Sequence, residues 1–213
     1  MKKISYLFSF TFLILIFITF GSYEQARADT YKNFEQLHSR ETPNVDYQII
    51  TQDRGSSTSI LAIHGGSIER ETSEVASAVA SQGGYDFYSF VGLKPRPLHI
   101  TSTHFDEPIA CSMVAQSDQT LSIHGCYGTQ KAVTNLGGRD NALGQKVKQQ
   151  LESAGFSVVR APGNLGGRDP DNICNRNREG AGVQLELSTP LRNQLFQDKD
   201  AFDRYVTALL KAL

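Results

Sequence analysis

Apolar segments of strand length alternate with segments of helical periodicity along most of this 213-residue chain. This alternation favours a three-layer α/β sandwich, with a central mixed but mostly parallel sheet flanked by helices. In such sheets, ligands bind beyond the carboxyl ends of the strands. The predicted strands are Tyr47–Thr51, Ser59–Ile63, Tyr85–Val91, Thr120–Ile123, Phe156–Arg160 and Val183–Leu187. The predicted helices cover about 68–82, 141–154 and 201–213. A further helix is expected with Asp106 as its cap and Pro108 in its first turn, and it should bury Ile109, Met113 and Val114.

The first 28 residues have the pattern of a removable export signal. Two lysines precede an apolar run of about 15 residues, Tyr6 to Phe20, which is short for a membrane span of ~20 residues. Ala26-Arg27-Ala28 then supplies a small-x-small cleavage pattern. We therefore expect cleavage near Ala28, a mature chain that begins at Asp29, and secretion without stable membrane association. An uncleaved membrane anchor is the alternative.

Residues 29–213, about 185 residues, suit one domain. We expect a single zinc hydrolase domain that is a monomer. Loss of the signal changes the formal net charge from −1 to −3, because it holds three cationic side chains and one anionic one. A mildly acidic chain lacks the basic footprint of a nucleic-acid binder, so no nucleic-acid partner is expected. Export permits one disulfide, with the pairing left open, among Cys111, Cys126 and Cys174.

Two histidines stand at predicted strand ends, and each is followed by glycine. His64 precedes Gly-Gly-Ser-Ile-Glu69, which places the Glu69 carboxylate in the first turn of the next predicted helix. His124 ends the strand of residues 120–123. Two imidazoles and one carboxylate make the ligand set of a hydrolytic zinc site with one position left for water. Hydrogen-bonded structural histidines are the alternative.

A third candidate is Glu186, which lies in an otherwise apolar strand. Leu185 and Leu187 should point to one face of the sheet and Glu186 to the other. A carboxylate in this setting needs a partner or a task, and beside a metal-activated water it can act as general base. A glutamate on the solvated face of an edge strand is the alternative.

Arginines form the second half of the predicted site. Arg139 and Arg168 each follow a Leu-Gly-Gly segment in what we interpret as two similar loops, and Arg176 follows soon after. The guanidinium fork fits a carboxylate bidentately, so these arginines are candidates to bind an acidic polymer. Surface salt bridges are the alternative. His99 and His104 are weaker candidates, as substrate-orienting or outer-sphere groups, with His104 ahead of His99 as a metal ligand.

Together these segments resemble the phage-type poly-γ-glutamate hydrolases. The resemblance rests on Ala62–Glu69, Thr101–Pro108, Ser122–Gly125, the paired Gly-Gly-Arg-Asp segments and Gly182–Ser188, and it covers about residues 47–195. It implies a fold like that of zinc carboxypeptidases, one zinc ion held by His64, Glu69 and His124, and Glu186 as the base. The chain departs from the His-x-x-Glu spacing of the wider carboxypeptidases, because four residues separate His64 from Glu69.

The resemblance implies hydrolysis of γ-glutamyl amide bonds in poly-γ-glutamate. Arg139 or Arg168 would help zinc to stabilise the developing oxyanion, and the remaining arginines would hold α-carboxylates near the scissile bond. Two other functions fit the same residues. One is a zinc amidase that acts on cell-wall peptides, and the other is a non-catalytic binder of anionic polymer.

Overall fold

The computed structural model describes residues 29–95, 97–127 and 129–213. The predicted signal segment, residues 1–28, lies outside the described residues. Among those described, no helix is long and apolar enough to cross a membrane.

Seven strands of the described residues form one sheet in the order β1-β3-β2-β4-β7-β5-β6. Four neighbouring pairs are parallel, and only β1–β3 and β5–β7 are antiparallel. The prediction of a mixed, mostly parallel sheet is therefore confirmed. The strands are β1 Tyr47–Gln52, β2 Thr58–Gly66, β3 Asp86–Gly92, β4 Gln119–Cys126, β5 Thr134–Gly138, β6 Val158–Arg160 and β7 Val183–Ser188.

Helices cover both faces of the sheet and complete the predicted three layers. Buried residues of α2, α4, α5 and α6 pack with Ile60, Ile123 and Leu185 on one face. Buried residues of α1 and α3 pack with Ile63 and Phe90 on the other. The helices are α1 Phe34–His38, α2 Thr72–Gly83, α3 Pro108–Ala115, α4 Asn141–Ser153, α5 Thr189–Gln197 and α6 Lys199–Ala212.

The two central strands β4 and β7 are apolar on one face and polar on the other. Leu121, Ile123, Leu185 and Leu187 all belong to the core cluster beneath α2, α4, α5 and α6. Side chains alternate along a strand, so the intervening residues face the opposite side. These polar residues are buried in the sheet rather than solvated, and they are Ser122, His124, Gln184 and Glu186.

Several local predictions are wrong. Helix α2 begins at Thr72 rather than near 68, because Glu71 adopts a left-handed conformation (φ 70°) that an α-helix does not accept. Glu69 therefore lies in the turn before the helix. Helix α3 is capped by Glu107, whose side chain accepts from the Ala110 N–H, and not by Asp106. Ile109, predicted to be buried, is 45% exposed.

The two Leu-Gly-Gly-Arg-Asp segments are not two similar loops. The first lies in and after β5, whereas the second includes a short 3₁₀ helix, Gly163–Leu165. The segments meet where the Gly138 N–H donates to the Gly166 carbonyl at 2.8 Å. All three cysteines are free, so the disulfide that export would permit is absent from the described residues.

Helix α4 offers a test of the packing beneath the sheet. Leu151 is fully buried, so Leu151→Ala should lower the free energy of unfolding by about 2–5 kcal/mol through lost transfer energy and the cavity left behind. Gln149→Ala, on the exposed side of the same helix, should change it by less than about 0.5 kcal/mol. Urea unfolding followed by circular dichroism measures both variants. Equal effects would contradict the assigned orientation of α4.

Candidate active site

A β-bulge at the end of β2 aims His64. The pairing of β2 with β3 shifts register between Ala62 and Gly65. Ala62 packs with the α2 core, and a Cβ at Gly65 would strike Ser73 of α2, so both residues face that helix. Ile63 and His64 must then both face the opposite side, which ordinary alternation would forbid. The bulge thus brings His64 to the face that carries His124 and Glu186.

A tight turn joins His64 to Glu69. The Glu69 N–H donates to the His64 carbonyl at 2.8 Å, which closes the turn within the chain. The Glu69 carboxylate then reaches β4, where its Oε2 accepts from the Gly125 N–H at 2.7 Å. Only glycine allows this approach, since a Cβ at residue 125 would lie 3.1 Å from the Glu69 Cβ and 2.8 Å from Nε of Arg192. The loop geometry therefore fixes the carboxylate between the two strand ends.

Three acceptor groups converge at this point. Nδ1 of His64 lies 3.0 Å from Oε1 of Glu69 and 3.2 Å from Nδ1 of His124. Nδ1 of His124 lies 3.6 Å from Oε2 of Glu69. All three residues are buried, with exposures of 2%, 2% and 7% for His64, His124 and Glu69. The structure thus brings together the three predicted ligands.

The far nitrogens of both imidazoles are held by the protein. Nε2 of His64 lies 2.9 Å from the Ile100 carbonyl, which can only accept, so Nε2 carries the proton and Nδ1 of the neutral ring is a lone pair. Nε2 of His124 lies 2.9 Å from the Ser122 hydroxyl. Fixing one nitrogen in this way turns the other toward a ligand, as in many metal sites.

Two imidazole nitrogens and a carboxylate packed this closely need a proton or a cation among them. Burial raises the pKa of Glu69, but the neighbouring His64 and His124 outweigh burial and hold that pKa well below its usual range. The carboxylate is therefore ionised and demands positive charge. A protonated imidazole or a metal ion can supply it.

The separations fit a metal ion. Ligand atoms at ~2.0–2.1 Å from a tetrahedral zinc ion are about 3.3 Å apart. Nδ1 of His64 lies at similar distances from Oε1 of Glu69 (3.0 Å) and from Nδ1 of His124 (3.2 Å), and the other carboxylate oxygen, Oε2, lies 3.6 Å from Nδ1 of His124. Nitrogen and oxygen donors of this kind suit zinc, and three protein ligands leave a fourth position open. The donor set therefore fits the predicted ion, and its assignment as a zinc site stays a prediction.

Glu186 stands directly beside His124. The two residues are register partners in the parallel pair β4–β7, so their side chains leave the sheet on the same face. The Gln184 amide donates to Oε1 of Glu186 at 2.9 Å, and the Asn172 amide donates to Oε1 of Gln184 at 2.8 Å. This relay orients the carboxylate, and no sequence pattern had singled out Gln184 or Asn172.

Burial raises the pKa of Glu186 well above its usual range, and the nearby Glu69 carboxylate raises it further. A protonated His64 and the Arg192 guanidinium oppose this shift. In the protein alone, Glu186 is therefore poised to hold a proton. A divalent cation at the adjacent site would favour its ionised form.

Arg192 is a buried cation that the sequence did not reveal. Its guanidinium donates to the carbonyls of Leu187 and Arg70 and to the hydroxyl of Thr189. It also lies 5.4 Å from the centre of the Tyr127 ring. Arg192 thereby ties the Glu69 turn to the end of β7. It belongs to α5, a helix absent from our predictions, so no pattern placed it near the site.

Arg139 and Arg168 lie farther away. The Arg139 N–H donates to the carbonyl of Gly182, four residues before Glu186 and so about 13 Å away along an extended chain. A guanidinium nitrogen of Arg139 contacts the Arg168 carbonyl at 3.5 Å, and both arginines are exposed. The structure therefore places the two arginines beside each other, with the backbone of Arg139 about 13 Å from Glu186 along β7.

The guanidinium of Arg176 is hydrogen-bonded within the chain. Its Nε and Nη2 both donate to the Asp171 carbonyl, and Nη2 also donates to Thr103. Its Nη1 donates to the Phe105 carbonyl and contacts Sγ of Cys111. All five N–H donors are engaged within the chain, so the structure does not support its predicted role in substrate binding.

Of the two weaker histidines, the structure favours the one that we ranked lower. The His99 ring packs on His64 with centroids 4.1 Å apart, and His64, Glu69 and His99 offer ligand atoms within 4.8 Å of one another. His104 is 62% exposed in its side chain. We keep His124 as the third predicted ligand, because its Nδ1 lies 3.2 Å from Nδ1 of His64, whereas Nδ1 of His99 bonds Asp29 at 2.7 Å and leaves only Nε2 for other contacts.

The contact between Ser122 and His124 can be tested. Ser122→Ala removes the group that holds Nε2 of His124, so it should weaken zinc binding about 10–100-fold. Competition with a chromophoric chelator measures the affinity. Ser59→Ala removes a similarly buried hydroxyl, one that contacts Thr120, and should leave the affinity unchanged. An equal affinity in all three proteins would show that Ser122 does not orient a ligand.

Comparisons with known proteins show the family to which the chain belongs. Residues 31–209 match the family model described as poly-gamma-glutamate hydrolase. A solved bacteriophage poly-gamma-glutamate hydrolase is 34% identical, with a TM-score of 0.83, over 87% of this chain and 96% of that one.

Relatives from Bacillus subtilis (strain 168) are similar over comparable lengths. The UPF0714 protein YndL is 40% identical over 192 residues, which are 86% of this chain and 74% of YndL. A solved structure described as zinc-free YndL is 33% identical, with a TM-score of 0.77, over 87% of this chain and 97% of that one. The chain belongs to the poly-gamma-glutamate hydrolase family, and it is a hydrolase by that membership.

Proposed function

We propose that this protein is an exported, zinc-dependent hydrolase that cleaves γ-glutamyl amide bonds of poly-γ-glutamate. The observation that carries the proposal is the meeting of His64, Glu69 and His124 at 3.0–3.6 Å, with Glu186 register-paired to His124. The family and the similar bacteriophage hydrolase support the substrate. The description of a YndL structure as zinc-free supports the metal. The pattern of residues 1–28 supports export.

Zinc, when bound, supplies Lewis acidity toward the amide carbonyl and lowers the pKa of water in the site. His64, Glu69 and His124 would hold it. Their far contacts, to the Ile100 carbonyl and the Ser122 hydroxyl, keep both Nδ1 atoms directed at it. The chain thus contributes a preorganised set of donors that need not rearrange during the reaction.

Glu186 carries the proton in this mechanism. Its carboxylate takes a proton from the attacking water and passes it to the leaving amine, in the role of general base and then general acid. Gln184 holds Oε1 throughout, which leaves Oε2 for the transfer. The high pKa that burial and Glu69 impose on Glu186 favours the step in which it receives the proton.

Arg139 and Arg168 suit binding away from the scissile bond. Both are exposed, and their loop packs on the polar face of β7, since a Cβ at Gly167 would lie 2.8 Å from the Gln184 side chain. We therefore assign them carboxylates of neighbouring polymer units rather than the oxyanion. The anionic polymer is the one partner proposed.

Glu186→Gln tests the base. The substitution keeps the shape and the hydrogen-bonding oxygen but cannot accept the proton, so kcat should fall about 10²–10⁴-fold while one zinc per chain is retained. Polymer size after incubation and zinc by atomic spectroscopy give the two readings. Glu152→Gln, on the exposed side of α4, should match the wild type. Retention of most activity in Glu186→Gln would remove Glu186 from its role.

Metal removal tests zinc and substrate together. A chelator should abolish the shortening of poly-γ-glutamate, and added zinc should restore it. Zinc at 100 times its dissociation constant should also add about 2.7 kcal/mol to the free energy of unfolding, and His124→Ala should lose this gain. Parallel incubation with peptidoglycan separates the activities. Chelator-sensitive cleavage of peptidoglycan alone would point to a cell-wall amidase, and cleavage of neither polymer to a binding protein.

A further inference from the structure

Asp29, the residue that follows the predicted cleavage point, is anchored beside the active site. Its Oδ1 lies 2.7 Å from Nδ1 of His99, and its Oδ2 accepts from the Thr101 N–H at 2.7 Å. Nδ1 of His104 lies 3.9 Å from Oδ2. The Asp29 side chain is only 13% exposed. A chain terminus is usually loosely held, so a carboxylate with two short contacts at this position has a structural task.

The two contacts of Asp29 are to the residues on either side of Ile100, whose carbonyl bonds His64. Ile100 lies between His99 and Thr101, and its carbonyl holds Nε2 of His64 at 2.9 Å. Asp29 therefore fixes the loop on both sides of that carbonyl. The same contact sets the His99 ring against the His64 ring, with centroids 4.1 Å apart.

Asp29 also selects the tautomer of His99. A carboxylate accepts hydrogen bonds, so the neutral ring carries its proton on Nδ1 and a lone pair on Nε2. No described residue bonds Nε2, and the side chain is 40% exposed. His99 thus presents an acceptor at the edge of the site, next to the predicted ligands His64 and Glu69.

We propose that Asp29 is a positioning residue and that the imidazole it holds, His99, accepts a hydrogen bond through Nε2 from an amide N–H of the bound polymer. This inference rests on the proposed function. It gives the N-terminal residue of the processed chain a part in substrate binding. A chain that begins at Thr30 would lack that part although every predicted ligand is present.

Kinetics on the full chain test the proposal, with the processed N-terminus of each variant read by mass spectrometry. Asp29→Asn keeps only one acceptor and His99→Ala removes the imidazole, so each should lower kcat/KM on poly-γ-glutamate about tenfold or more. Zinc content should stay at one per chain. The remaining oxygen of Asp29→Asn can still accept from the Thr101 N–H, so this variant loses only the His99 contact, and the double variant should be no slower than His99→Ala alone. Asp118→Asn, whose exposed carboxylate pairs with Arg178, is the matched control and should equal the wild type.

Nitrogen-15 shifts of the His99 ring supply a reading that a merely structural role would not change. The wild type should show a protonated Nδ1 and a bare Nε2, and Asp29→Asn should show a mixture of tautomers. Wild-type kcat/KM in His99→Ala, additive effects in the double variant, or loss of zinc in Asp29→Asn would each overturn the proposal. If Asp29→Asn failed to fold, His99→Ala alone would decide. An inactive wild type would instead refute the proposed function.

Discussion

The fold is arranged around two imidazole nitrogens and a carboxylate that need a proton or a cation among them. Nδ1 of His64, Nδ1 of His124 and the Glu69 carboxylate lie 3.0–3.6 Å apart in a buried setting. Water cannot solvate these three groups there, so each needs a hydrogen-bond partner or a cation within the protein. Hydrogen bonds from Gly125 and to Ile100 prevent such escape. Because the strand ends hold the three groups in place, the site favours a positive ion.

The sheet provides this rigidity by dividing its two faces between tasks. Leucine, isoleucine and valine side chains of β4 and β7 pack against α2, α4, α5 and α6 on one face of the sheet. The opposite face of the same strands carries buried polar side chains, whose backbone is fixed by the packing of the apolar face. A carboxylate on a packed central strand loses little further conformational entropy when it acts, unlike one on a mobile loop. Glu186 gains its orientation from the leucines on either side of it.

Sequence periodicity predicted the residues of this centre well but not their supports. Glu186 between Leu185 and Leu187 was readable because alternation in a strand is strict. His64 was identified as a candidate from its place before two glycines. The face of the sheet to which its side chain points could not be predicted, because the bulge depends on pairing with β3. Glu69 was found in a turn rather than a helix, since the left-handed Glu71 delays the helix.

Contacts between residues distant in sequence escaped prediction. Arg192 reaches the site from α5 and bonds the carbonyl of Arg70, 122 residues earlier in the chain. Asp29 bonds His99 across 70 residues. Arg176 was misjudged for the same reason, because only the folded chain shows its donors committed to Thr103, Phe105 and Asp171. Single-residue patterns carry no signal for such pairings.

The separation of the arginines from the reacting centre has a physical rationale for a long substrate. Arg139 meets β7 about 13 Å from Glu186, and an extended polymer can span that distance while a single amide cannot. Binding energy gained on remote units can offset the cost of orienting and desolvating the scissile bond. A guanidinium placed at the centre would instead compete with the metal for Glu69 and Glu186. Exposed arginines away from the centre leave Glu69 and Glu186 free for a metal ion and a proton, while the buried Arg192 is committed to two backbone carbonyls and the Thr189 hydroxyl.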